Sequence, residues 1–93
     1  MSNNIFISYD LKSPGRNYSR LIDGIKTIGD WAHIQDSLWH VKTNLDATQI
    51  RDTLLPLMDS NDSIIVIDAS HNGVSWWNIS KEVANHFQNN WNQ

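Results

Sequence analysis

The chain reads as a small α+β domain, and three observations carry that expectation. Residues 4–10 alternate as a strand does, residues 18–28 repeat apolar side chains at helical spacing, and two strand-like runs flank a polar pair at Asp36-Ser37. The other elements are organised around the first strand, Asn4-Ile5-Phe6-Ile7-Ser8-Tyr9-Asp10. It is a short apolar run that ends on a carboxylate.

Alternation puts Ile5, Ile7 and Tyr9 on one face of strand one and Phe6, Ser8 and Asp10 on the other. The first set is expected under the helices, the second on a partly covered face. Helix one is expected to open with Ser13 as N-cap and Pro14 in the first helical position. Gly15 weakens that start. Tyr18, Leu21, Ile22, Ile25 and Ile28 form the apolar stripe, and Gly29 is the expected terminator.

Trp31–Gln35 and Leu38–Lys42 read as a hairpin closed by Asp36-Ser37. Asp46 is the expected N-cap of helix two, whose stripe is Ile50, Leu54, Leu57 and Met58 with Leu55 beside it. Pro56 should bend or shorten its last turns. After the turn cluster Asp59-Ser60-Asn61-Asp62, Ser63–Asp68 is a strand apolar on both faces. His71-Asn72-Gly73 reads as a loop. The stretch from about 77 to 91 reads as a third amphipathic helix, with Ile79, Val83, Phe87 and Trp91 spaced by four.

Strand, helix, strand, strand, helix, strand is the ferredoxin-like βαββαβ order. It implies a four-stranded antiparallel sheet in the order 4-1-3-2, with an added C-terminal helix. Strands one and three are taken as central neighbours running parallel. Both helices then cover one face, and the other face needs a second copy or the terminal helix as its cover. On this direction of strands, Lys42 and Asp62 fall at the Asp10 edge and Asp68 at the opposite one.

With 93 residues the chain is one domain over 1–93, its core within about 4–70. So small a core makes dimerisation a natural source of extra stability, and five Trp suit a core or a subunit interface. The net charge of −3 lacks the general basic character of a nucleic-acid binder, so any such contact must be local. There is no cysteine, hence neither a disulfide nor a thiolate site. The amino-terminal residues lack the pattern of a signal peptide, and no apolar run approaches membrane-spanning length. The expectation is a soluble cytoplasmic protein with no membrane partner.

Three stretches carry a family resemblance. Ile7-Ser8-Tyr9-Asp10 resembles the strand-one signature of the small CRISPR-associated adaptation subunit, the Cas-two family. Ile34-Gln35-Asp36-Ser37-Leu38-Trp39 resembles its hairpin, and Asp59-Ser60-Asn61-Asp62-Ser63-Ile64 its lead into strand four. The likeness spans roughly residues 4–70 and extends to SinR-like and virulence-associated D-type small proteins. The chain departs from the pattern in its helical C-terminal stretch, where many adaptation subunits carry an extra strand, and in its acidic charge. The resemblance implies a homodimer acting as a metal-dependent endonuclease on RNA or DNA. Asp10 of each copy would then meet across the dimer and hold Mg²⁺ or Mn²⁺.

The residues themselves leave alternatives open. Two apposed Asp10 carboxylates repel unless a proton or cation lies between them, which is coherent with a metal site. Asp10 could equally end its strand by accepting hydrogen bonds. Lys12, Arg16 and Arg20 are a local basic cluster able to hold a nucleic-acid phosphate, or else a solvated helix face. His33 and His40 could be cross-strand neighbours that bind metal or exchange protons, or surface residues. His71 and His86 carry less signal, and Ser37 is explained by turn chemistry. The five Trp could stack on bases. Three functions therefore stand together: the endonuclease, a non-catalytic dimeric scaffold or regulator binding protein or nucleic acid, and a toxin-like ribonuclease without an evident metal site.

Overall fold

The computed structural model describes residues 2–13 and 18–91. It is a mixed α+β domain: one antiparallel five-stranded sheet and three helices. In chain order the elements are β1 (Asn3–Asp10), α1 (Ser19–Ile28), β2 (Asp30–Gln35), β3 (Leu38–Thr43), α2 (Ala47–Leu54), β4 (Ser63–Asp68), β5 (Gly73–Trp77) and α3 (Lys81–Asn90). The sheet order is β2-β3-β1-β4-β5.

β1 lies at the centre because it can bury one whole face. Ile5, Ile7 and Tyr9 pack under Leu21 and Ile25 of α1 and Ala47, Ile50 and Leu54 of α2, together with Trp39, Val41, Ile64 and Val66. Phe6 and Ser8 are half-buried on the other face, and Asp10 is exposed. The alternation read from the sequence therefore assigns both faces of this strand correctly.

Helix one ends at Gly29 as expected but begins later than expected. It starts at Ser19 with Tyr18 as N-cap, not at Ser13; Pro14 lies outside the described residues. Its stripe holds, with Leu21 and Ile25 buried and Tyr18, Ile22 and Ile28 packed against the core. Gly29 ends it in extended backbone, φ 176°, without the left-handed turn of a glycine C-cap. What requires glycine there is proximity: a Cβ would lie 2.0 Å from the Lys42 carbonyl oxygen.

The hairpin forms as read, with an irregularity in register between His33 and Gln35. α2 carries a capping box, Asp46 accepting from the Gln49 N–H while Gln49 accepts from the Asp46 N–H. Pro56 sits in a 3-10 turn, Leu55–Leu57, that replaces the last α-helical turns.

Two expectations about the sheet are corrected. First, it has five strands rather than four. Gly73–Trp77, read as loop and helix start, pairs antiparallel with β4, and the terminal helix begins only at Lys81 behind the Ser80 cap. The misleading feature is an inverted pattern. Ser75 is the buried residue, its hydroxyl 2.8 Å from that of Thr48 on α2, while Val74 and Trp76 take the opposite face.

Second, β1 and β3 are antiparallel. Asn4 stands opposite Lys42 and Ser8 opposite Leu38, so the Asp36-Ser37 turn, not Lys42, lies at the Asp10 edge. Ser37 accepts a hydrogen bond there from the Tyr9 N–H at 3.2 Å. β4 runs as expected, Asp10 opposite Ser63 and Asp68 opposite Ile5. Ile64 and Val66 are buried, but Ile65 and Ile67 are only half-buried, because none of the helices among the described residues lies over the middle of the second face. α3 reaches that face at its margin, Phe87 stacking on Trp76 at 5.5 Å, and buries no residue fully.

Candidate functional site

At the carboxyl end of β1, Asp10 projects from the less covered sheet face, 65% exposed, with the Lys12 ammonium 2.9 Å away. A shallow groove of about 100 Å³ runs beside it, lined by Ser8, Tyr9, Asp10, Ser63, Ile64 and Ile65. Among the described residues Asp10 is held by the Lys12 ammonium, an exposed ion pair that solvent weakens.

Asp62 reaches the same edge, as the sequence placed it, but its oxygens are already occupied. It is fully buried. One carboxylate oxygen accepts from the Lys12 N–H at 2.7 Å and the Tyr18 hydroxyl at 2.8 Å, and the other from the Asp59 N–H at 2.7 Å. The Asn78 amide then donates to the Asp62 carbonyl, tying the end of β5 to the same turn. Asp62 fastens the segment after β1 to the turn before β4. Burial, followed by the hydrogen bond to Asp62, raises the Tyr18 phenol above its ordinary value.

Of the basic cluster, Lys12 stands beside Asp10, Arg20 lies exposed on α1, and Arg16 lies outside the described residues. His33 and His40 are not brought together. His33 pairs with Trp39 and His40 with Ala32, which puts the two imidazoles on opposite faces. His33 stacks on Trp39, ring centroids 3.9 Å apart, and its Nε2 meets the Asp36 carbonyl at 3.1 Å. His40 Nε2 lies 3.1 Å from Asn4 Oδ1, which also accepts from Lys42 at 3.4 Å.

The tryptophans divide by face. Trp39 is core, its indole N–H donating to the Tyr9 hydroxyl at 2.9 Å. Trp31 and Trp77 are about half exposed, at 46% and 50%, near the two sheet edges. Trp76 and Trp91 gather with Phe87 around a cleft of about 310 Å³ between β5 and α3.

The fit of a divalent metal within the chain is poor among the described residues. Asp10 is a single carboxylate, Asp62 is spent on three donors, and no group of three or more potential ligands occurs among the described residues. Asp68, at the far end of the sheet, is a buried carboxylate that sequence reasoning set aside because of its position. It accepts from the Ser70 and His71 N–H groups and faces His71 Nδ1 at 3.1 Å. The signal for it was an Asp three residues before a His at a strand end, next to the turn-forming Asn72-Gly73. No helix among the described residues is long and apolar enough to cross a membrane. No family model, no curated protein and no solved structure matches this chain.

Proposed function

We propose that the chain works in the cytoplasm as a homodimeric, Cas-two-like scaffold that holds a protein partner, with the less covered sheet face as its subunit interface. One observation supports this most: Phe6, Leu38, Ile65, Ile67 and Val74 lie half-buried on that face, and α3 meets it at the β5 margin, beside Val74 and Trp76. An apolar strip rimmed by Asp10, Lys42 and Asn4 is the composition of an interface core with a polar margin. The acidic balance of −3 favours a protein over nucleic acid as what the dimer holds. In this reading β1 to β4, in the order β2-β3-β1-β4, are a ferredoxin-like core to which β5 and α3 are appended.

The test is sedimentation of the intact chain and of Ile65→Asp. A dimer that the substitution converts to a folded monomer supports the reading. A wild-type chain that stays monomeric at high micromolar concentration sinks it.

A second reading, the metal-dependent endonuclease, draws on the exposure of Asp10 at the rim of the same face. Packing two such faces with their strands in the same sense brings the two Asp10 carboxylates to one end, where they and not one subunit would hold Mg²⁺ or Mn²⁺. Lys12, Arg16 and Arg20 would then contact phosphate. RNA and DNA cleavage with either metal, lost in Asp10→Ala, supports this reading. Cleavage of RNA that persists in chelator supports the toxin-like ribonuclease instead.

A further inference from the structure

The four histidines differ in which ring nitrogen is engaged, and that difference singles out one of them. His33 Nε2 faces the Asp36 carbonyl, which can only accept, so Nε2 carries the proton. His40 Nε2 faces Asn4 Oδ1, an oxygen that also accepts from Lys42, so it too is protonated there. His86 Nδ1 accepts from the Asn90 amide at 3.5 Å, which again leaves the proton on Nε2. His71 has the other tautomer. Its Nδ1 lies 3.1 Å from Asp68 Oδ2, a carboxylate that can only accept, so Nδ1 carries the proton and Nε2 keeps its lone pair.

The supporting shell is rigid where it counts. The Asp68 side chain is 4% exposed, and its second oxygen accepts from the Ser70 and His71 N–H groups. The loop itself is fastened from outside. The Ala69 N–H donates to the Asn4 carbonyl at 2.8 Å, the Asn4 N–H donates to Ser70 Oγ at 2.8 Å, and the Trp91 indole N–H donates to the Asn72 carbonyl. The His71 side chain is 60% exposed, so the free Nε2 is open to reagents.

We propose that His71 Nε2 is a nucleophilic site that accepts acyl groups from neutral, activated esters, with Asp68 as its positioning residue. In the step, the Nε2 lone pair attacks the ester carbonyl carbon and a C–N bond forms. The C–O bond breaks, and the alkoxide or phenolate leaves with its electron pair. The Nδ1 proton stays on the ring, facing Asp68. Water then adds to the acyl carbon and loses one proton to solvent, the C–N bond breaks with its pair returning to Nε2, and the carboxylic acid so formed gives its own proton to solvent. A neutral acyl group suits this site better than phosphate. The Ser70 and His71 amides are already spent on Asp68, and Asp68 itself repels an anion.

The experiment treats the intact chain with p-nitrophenyl acetate near pH 8, follows nitrophenolate release, and locates the acetyl group by mass spectrometry. The expected result is a label on His71 ahead of His33, His40 and His86, and loss of the burst in His71→Ala. Asp68→Asn keeps an oxygen for the two loop amides but presents its amide, a donor, to Nδ1 and so cannot accept the Nδ1–H hydrogen bond; it should slow labelling of His71 about tenfold. In the same variant the ¹⁵N shifts of His71 should report the proton moved to Nε2. Equal labelling of His71 and His86, or an unchanged rate in Asp68→Asn, overturns the proposal. Should Asp68→Asn not fold, the wild-type ¹⁵N shifts still decide: a proton on His71 Nε2 refutes it.

Discussion

Replacing Asp62 by Ala removes one acceptor from three donors at once: the Lys12 N–H, the Asp59 N–H and the Tyr18 hydroxyl. The site is fully buried, so water cannot take over all three. At about 1–1.5 kcal/mol for each donor, the loss is about 4 kcal/mol. A chain of this length has about 5–14 kcal/mol in total, so at the lower end of that range the variant keeps only about 1 kcal/mol. In a thermal melt the same loss lowers Tm by about 15–30 °C.

Asp62→Asn is the milder control. Its remaining carbonyl oxygen can still serve Lys12 and Tyr18, while its amide faces the Asp59 N–H donor to donor, for a loss of about 1.5 kcal/mol. Urea denaturation followed by tryptophan fluorescence measures both. A loss below about 1 kcal/mol in Asp62→Ala would refute the role of a clamp. The same melts run with Mg²⁺ bear on the site. A carboxylate saturated by its own chain gives no metal-dependent stabilisation, whereas a rise in wild-type Tm that Asp62→Ala abolishes would return Asp62 to the candidate ligands.

Three further outcomes are expected. Trp39→Phe leaves the buried Tyr9 hydroxyl without the indole donor at 2.9 Å and opens space in the core, for a loss of about 2–3 kcal/mol by denaturant titration. Gly29→Ala would set a Cβ 2.0 Å from the Lys42 carbonyl oxygen, a backbone atom that cannot turn aside; a loss of more than about 2 kcal/mol is expected, with the β2–β3 amide resonances shifted. The Tyr18 phenol is raised in the folded chain, so the folded state resists its ionisation. Its contribution to stability is complete below the unfolded value of about 10 and falls as pH rises through the folded value, which alkaline melts of wild type and Tyr18→Phe would resolve.

Local pattern made several elements legible. The period-two alternation of β1 places Ile5, Ile7 and Tyr9 under the helices, and the four-residue steps of Leu21 and Ile25 place α1 over them. Asp46 announced the start of α2, and Pro56 its end. β5 was hidden because its buried position is Ser75, satisfied by Thr48 from a different element, while its large residues face outward. The start of α1 was placed too early: the helix begins at Ser19 behind Tyr18, and the Pro14 read as its first residue lies outside the described residues.

What the sequence determined by itself is the order of most elements, the core-facing residues within each, and an exposed carboxylate at the end of β1. Those follow from short-range periodicity, which every strand and helix carries internally. What only the tertiary structure decided is which elements run against which. The antiparallel β1–β3 pair moves Lys42 away from Asp10, and the β2–β3 register sends His33 and His40 to opposite faces. The same holds for the carboxylates. Asp10, Asp62 and Asp68 all flank strands, yet one is solvated beside Lys12, one is closed around Tyr18 and two amides, and one orients His71. For Asp62, the deciding contacts join residues as far apart as Lys12 and Asp62. Strand direction and long-range hydrogen-bond partners leave no period in the chain, so only the assembled sheet could assign these three roles.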